Sequence, residues 1–147
     1  MNMKKLAMLT LLCCLMQTLL AQVNEDAILG RWLSESGKAK IEIFKSNGKF
    51  YGKIVWLKNP NNENGQPKID KNNPDPKERN HRILGLLLVR SLEYDGSGEW
   101  HNGTIYDPEN GKSYKCKITK TESGDLSIRG YIGVSMIGRS TVWTHSE

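Results

Sequence analysis

From Arg31 to the end of the chain, apolar and polar residues follow one another in short runs with a period of two. Ile41 and Ile43 share one face of Ala39 to Phe44, while Lys40, Glu42 and Phe44 share the other, which is the alternation of a half-buried antiparallel strand. The same reading predicts strands over Arg31 to Ser34, Phe50 to Leu57, Glu99 to Tyr106, Lys112 to Thr121, Leu126 to Ile132 and Arg139 to His145. Ile83 to Leu92 is almost continuously apolar and is read as a further strand, with a buried helix as the competing assignment. In Phe50 to Leu57 one face carries Phe50, Gly52, Ile54 and Trp56, and neither face is plainly polar.

Turn chemistry separates these runs. Ser46-Asn47-Gly48, Glu93 to Gly98, Asp107-Pro108-Glu109-Asn110-Gly111 and Ser123-Gly124-Asp125 supply residues that tolerate positive φ or interrupt a ladder. Ahead of the first strand, Asn24 is placed to cap a short helical turn over Glu25 to Ile28, with its acidic pair at the favourable end. The exception to the short turns is Lys58 to Arg82, a long polar stretch rich in Asn, Pro and Asp. Its short acceptor side chains can fix their own turns, so the expectation is an ordered loop and not a flexible linker.

A succession of about eight antiparallel strands either closes into a barrel or stacks as two sheets, because open edges invite pairing with other chains. Gly52, Gly85, Gly103 and Gly130 are read as lying within strands, where they allow the coiling that closure needs. The expected fold is all-β: a single antiparallel up-and-down β-barrel with a short N-terminal helical turn and one long ordered loop.

Composition changes this picture mainly at the N-terminus. Lys4 and Lys5, the apolar run Leu6 to Leu20 and the small Ala21 form a secretory signal peptide pattern over residues 1–21. Cys13 and Cys14 lie inside the apolar run without the small preceding residue that a lipoprotein signal needs. Residues 22–147 are then one β-barrel domain with no transmembrane segment, and the expected location is the periplasm or outside the cell. Cys116 remains as a single thiol, so packing and not a disulfide must stabilise the domain. With Lys4 and Lys5 removed, the formal charge of +5 falls to +3, and the interspersed charges give no reason to expect nucleic-acid binding.

The chemical motifs that identify enzymes and metal sites are missing. His81, His101 and His145 fall on separate elements, and neither HExxH nor CxxC is present. Asp70, Asn72, Asn73 and Asp75 crowd oxygen ligands as a calcium loop does, but Pro74, Asp75 and His81 occupy positions that break the EF-hand pattern. Neither a metal nor a cofactor is expected. Cys116 lies on the face of Tyr114 and Ile118, as a structural cysteine does. Catalysis has no assignable residue; Asp70, Asp75, Asp107 and Glu109 could work together only if the long loop folded over a hairpin end.

Aromatic residues and arginines are what remains for binding. Trp32, Trp56, Trp100, Trp143 and Tyr106 offer contact area, Arg82, Arg129 and Arg139 offer fixed cations, and Asp70, Asn73 and Asp75 offer polar groups from the loop. A purely core role for the rings is the alternative reading, and the two are compatible.

Several segments in order also carry a family resemblance. They are Gly30-Arg31-Trp32, Tyr51-Gly52-Lys53-Ile54, Asp70 to Asp75, Arg82 to Leu86, Trp100 to Pro108, Gly111 to Tyr114, Arg129 to Gly133, Gly138-Arg139 and Trp143-Thr144. Together they resemble the DUF2147 family of uncharacterised bacterial secreted proteins, with Ile83 standing where that family commonly has proline. The resemblance implies a lipocalin-like or calycin-like barrel exported to the periplasm, without an established activity or catalytic residue. Gly30-Arg31-Trp32 is also similar to the start of lipocalin barrels, where the tryptophan closes one end beneath an arginine. Arg139 or Arg129 is the expected counterpart.

These readings lead to a periplasmic barrel that binds a small or extended envelope-related ligand at its mouth, whether small molecule, lipid or glycan. An envelope protein-protein interaction module and a hydrolase using loop carboxylates are the alternatives. A filled interior would exclude the first, and a uniformly charged surface would count against the second.

Overall fold

The computed structural model describes residues 24–147, so the signal peptide expected over residues 1–21 lies outside the described residues. Among the described residues a 3-10 turn, Glu25–Ile28, precedes eight strands: β1 Gly30–Leu33, β2 Ala39–Ser46, β3 Lys49–Leu57, β4 Leu87–Tyr94, β5 Glu99–Asp107, β6 Lys112–Lys120, β7 Leu126–Tyr131 and β8 Gly138–Ser146. They pair in sequence order, each antiparallel to the next, and β8 returns to β1 to close the barrel. Among the described residues no helix is long and apolar enough to cross a membrane.

Up-and-down order sorts the connections between two ends. At one end lie the 3-10 turn and the β2–β3, β4–β5 and β6–β7 turns; at the other lie the β1–β2 turn, the long β3–β4 loop, and the β5–β6 and β7–β8 connections. The first end is closed. Ile28 is fully buried beside Trp32, Phe50, Leu92, Trp100 and Leu126 in one apolar cluster. Both buried indoles find acceptors in the cap: Trp32 Nε1 donates to Ile28 O and Trp100 Nε1 to Glu25 O, each at 2.9 Å. Asn24 accepts from Asp26 N–H, and Lys45 pairs with Glu25 at 2.8 Å and Asp26 at 3.2 Å, so the turn is capped and tied to β2.

Two departures from strict alternation matter. Between Lys40 and Ile41 the β2–β3 register shifts, so that Ile41 faces Ile54 while Lys40 faces Trp56. The extra residue turns Trp56 outward, off the face it shares by simple alternation with Phe50, Gly52 and Ile54; it is 40% exposed with the Lys40 ammonium 5.8 Å above its ring. In β4 and β5, Ser91 and Asn102 both take φ 58°. Beside that second bend Gly103 is indispensable: a Cβ there would lie 2.6 Å from Arg90 O.

The strand expected from Ile83 begins at Leu87 instead. Gly85, with φ +94°, belongs to a turn that docks on β3, where its N–H donates to Ile54 O and Ile54 N–H donates to Leu86 O. The apolar run therefore divides into a loop end and a strand, and the helix reading is excluded there.

Candidate functional site

The open end holds a recess of about 780 Å³. Inward positions of β5 to β8 supply its wall. Ile105 pairs with Tyr114, Gly130 with Arg139, and Ile128 with Thr141, and directly paired residues point to the same side of a sheet. Leu88 and Ile128 form an apolar floor, and Tyr114 and Arg139 stand at the rim. Gly130 leaves room for them, since it carries no side chain on the inner face. A second lobe of about 770 Å³ is lined by Ile41, Ile54, Leu57, Ile83 and Trp143, with Lys38, Lys68 and Lys71 around it. Ser34, Ser36, Leu88, Asp107 and Pro108 border both lobes, so they form one mouth divided by the loop and hairpin that meet above it.

That meeting is built from the DKNNPD segment. Asp70 is completely buried, its carboxylate accepting from Tyr106 Oη at 2.8 Å and Asn73 Nδ2 at 2.7 Å, and its own N–H donates to His81 O. Burial, then the adjacent Asp70 carboxylate, pushes the Tyr106 phenol up to about 12. Asn72 Nδ2 donates to Pro108 O and Glu109 O, at 3.2 and 2.9 Å. Gly111 permits the approach: with φ +70°, a Cβ on it would sit 2.0 Å from Asn72 O. Asn73 and Asp75 accept from the backbone of Asp75 and Lys77, Arg79 Nε donates to Asn73 O, and Ile69 bridges to Arg82. The loop is thus a strap with its own hydrogen bonds, clamped to β5 by a buried carboxylate.

The residues expected to bind therefore separate. Tyr106, Arg139 and Trp143 line the mouth. Trp32 and Trp100 are buried toward the closed end, Trp56 is outside, and Asp70, Asn73, Asp75 and Arg82 build the strap. Arg129 also faces out, donating to Ser135 O, Met136 O at 3.1 Å and Ser140 Oγ at 2.9 Å, and thereby fixes the β7–β8 connection. Neither arginine completes the expected lid on Trp32. The ring edge-on to Trp32 is His145, at 5.3 Å. Sequence alternation did not single out Ile105, Tyr114 and Thr141 as lining residues, although their inward positions were readable once closure was assumed.

Arg139 is the notable member. The described hydrogen bonds and ion pairs include none from its guanidinium, and it faces the recess opposite Gly130. Glu35 and Asp107 share the lining, but each is engaged locally: Glu35 accepts from Thr141 Oγ1 at 3.1 Å and Asp107 from Glu109 N–H at 2.9 Å. Cys116 is fully buried, and desolvation pushes its thiol up to about 12, which suits packing and not nucleophilic attack. Among the described residues no group of three His, Cys, Asp or Glu side chains is arranged to hold a metal ion.

Residues 30–145 match the family described as "Uncharacterized protein conserved in bacteria (DUF2147)". The chain belongs to the DUF2147 family. A solved structure described as protein HP1028 from the human pathogen Helicobacter pylori, belonging to the lipocalin family, is similar to this DUF2147 protein with a TM-score of 0.70 and 25% identity over 82% of this chain and 83% of that one. No curated protein sequence matches the chain. The closed eight-stranded meander with a helical turn at one end and a recess at the other is thus a lipocalin-like barrel.

Proposed function

We propose that this DUF2147 protein is a periplasmic binding protein that takes an envelope-derived amphiphile at the open mouth of its barrel, with the apolar part against Leu88, Ile105 and Ile128 and an anionic group on Arg139. The observation that carries the reading is an unpaired guanidinium facing an apolar-walled recess of about 780 Å³, a size suited to a small ligand. An arginine without an ion-pair partner there offers charge-assisted, bidentate hydrogen bonds to a carboxylate or phosphate. Localisation to the periplasm rests on the signal-peptide pattern of residues 1–21. The lipocalin-like fold supports small-molecule binding at this end.

Two measurements test the reading. Native mass spectrometry of protein taken directly from the periplasm is expected to show a retained small-molecule mass. Titration of stripped protein with a medium-chain fatty acid is expected to change tryptophan emission, Trp143 lining the mouth, and to do so more weakly with the uncharged alcohol of the same length. Absence of both a retained mass and a fatty-acid response would overturn the proposal.

A further inference from the structure

The β7–β8 connection places Ile132, Val134, Met136 and Ile137 in one short loop at the open end, with exposures of 69%, 60%, 89% and 71%. Large apolar side chains this exposed, and adjacent, are uncommon on a surface that meets only water. Their outward placement is imposed from below. Arg129 takes the carbonyl oxygens of Ser135 and Met136, and Ile137 N–H closes a turn on Val134 O, so these bonds hold the loop backbone against β7 while the four side chains stay exposed.

The charges carried by this loop and its two flanking strands are all cationic, while Glu35 and Asp107 lie elsewhere in the recess lining, each accepting a local hydrogen bond. Residues 126–146 contain Arg129 and Arg139 and no aspartate or glutamate. Lys115, paired with Tyr131 across β6 and β7, extends its ammonium to Gly133 O at 3.5 Å. Arg129 bonds carbonyls and a hydroxyl, not a carboxylate, so its charge also stays uncompensated. The neighbouring Lys117, by contrast, is neutralised by Glu99 at 2.9 Å. Ile132 and Ile137 also line the recess, so the apolar tip continues into the mouth.

We propose that this tip is a docking surface for an anionic lipid bilayer, in which Val134 and Met136 enter the headgroup boundary while Lys115 and Arg129 meet the lipid phosphates. Apolar insertion combined with a cationic collar is the pairing that holds a soluble domain on such a surface, since each contribution alone is weak. Such docking would open the recess toward the bilayer. The surface itself does not depend on the cavity holding a ligand.

Sedimentation of residues 22–147 with phosphatidylcholine vesicles, with and without an equal part of phosphatidylglycerol, tests this. The protein is expected to pellet with the phosphatidylglycerol vesicles, to do so less as salt is raised, and to lose at least tenfold in binding when Val134→Asp and Met136→Asp are combined. Lys115→Gln is expected to weaken uptake severalfold. Neither Val134 nor Met136 lines the recess, so the double variant should keep its melting temperature and its fatty-acid titration; failure of the ligand reading would leave the vesicle result intact. Retention of the parent protein in the supernatant, equal uptake by pure phosphatidylcholine, undiminished binding by the double variant, or a dimer in solution that those substitutions abolish without any vesicle binding would each overturn the proposal.

Discussion

The two ends of the barrel are made from the same alternating strands and have opposite fates. At the closed end, Ile28, Trp32, Phe50, Leu92, Trp100 and Leu126 fill the interior, and the 3-10 turn supplies acceptors for both indole N–H groups. At the open end the same inward positions carry Gly130, Tyr114, Thr141 and Arg139, which leave space and present polar atoms. Large rings with satisfied donors make a plug, while a glycine facing an arginine makes a recess. The packed rings lie at the end that the 3-10 turn caps, and the open space lies at the end that the long loop crosses.

This contrast can be broken most directly at Trp100. Trp100→Ala removes a fully buried ring and its bond to Glu25 O, and is expected to cost about 3–5 kcal/mol in urea denaturation. A loss below about 1 kcal/mol would show that the closed end is not the stabilising half. A sharper probe compares two glycine turns. Gly111→Ala at the open end combines φ +70° with a clash on Asn72 O and is expected to cost about 2–3 kcal/mol, whereas Gly124→Ala at the closed end, φ +90° with nothing near its Cβ, should cost about 1 kcal/mol. Equal costs would mean that the strap does not press on the β5–β6 turn.

Tyr106→Phe tests the clamp itself. It deprives the buried Asp70 carboxylate of one donor, with an expected loss of about 1–3 kcal/mol at neutral pH. The folded phenol is raised to about 12 from its ordinary 10.0, so its contribution is complete below pH 10 and falls away as pH rises from 10 toward 12. Stability of the parent protein should therefore decline more steeply across that interval than stability of the Phe variant, and parallel curves would rule the linkage out. The smallest effect on stability belongs to Arg139→Gln, within about 0.5 kcal/mol, because that side chain faces the recess unpaired. Its fatty-acid affinity should nevertheless fall about tenfold or more, the value of a charge-assisted hydrogen bond.

Much of the open end was legible before the fold was known. The DKNNPD segment announced an ordered loop because its side chains are short acceptors, and they do cap their own turns. Asp70 looked like a group available to a ligand, and the sequence had no means of showing that Tyr106 would consume it: the two are 36 residues apart and meet only when β5 stands beside the strap. Trp56 misled for a different reason. A single-residue register shift reverses every side chain beyond it, and nothing in the run from Phe50 to Leu57 marks where the extra residue falls.

Local physics, then, was sufficient for the strands, the capped turn at Asn24, the buried Cys116 and the meander that closes to avoid free edges, because each follows from near-neighbour periodicity and turn chemistry. The order of strands made two ends inevitable. Which end would be filled and which left hollow, and which of three arginines would be spent on the backbone and which left facing a cavity, depended on side chains brought together from distant strands. Those are properties of the closed barrel, and only its tertiary structure decided them.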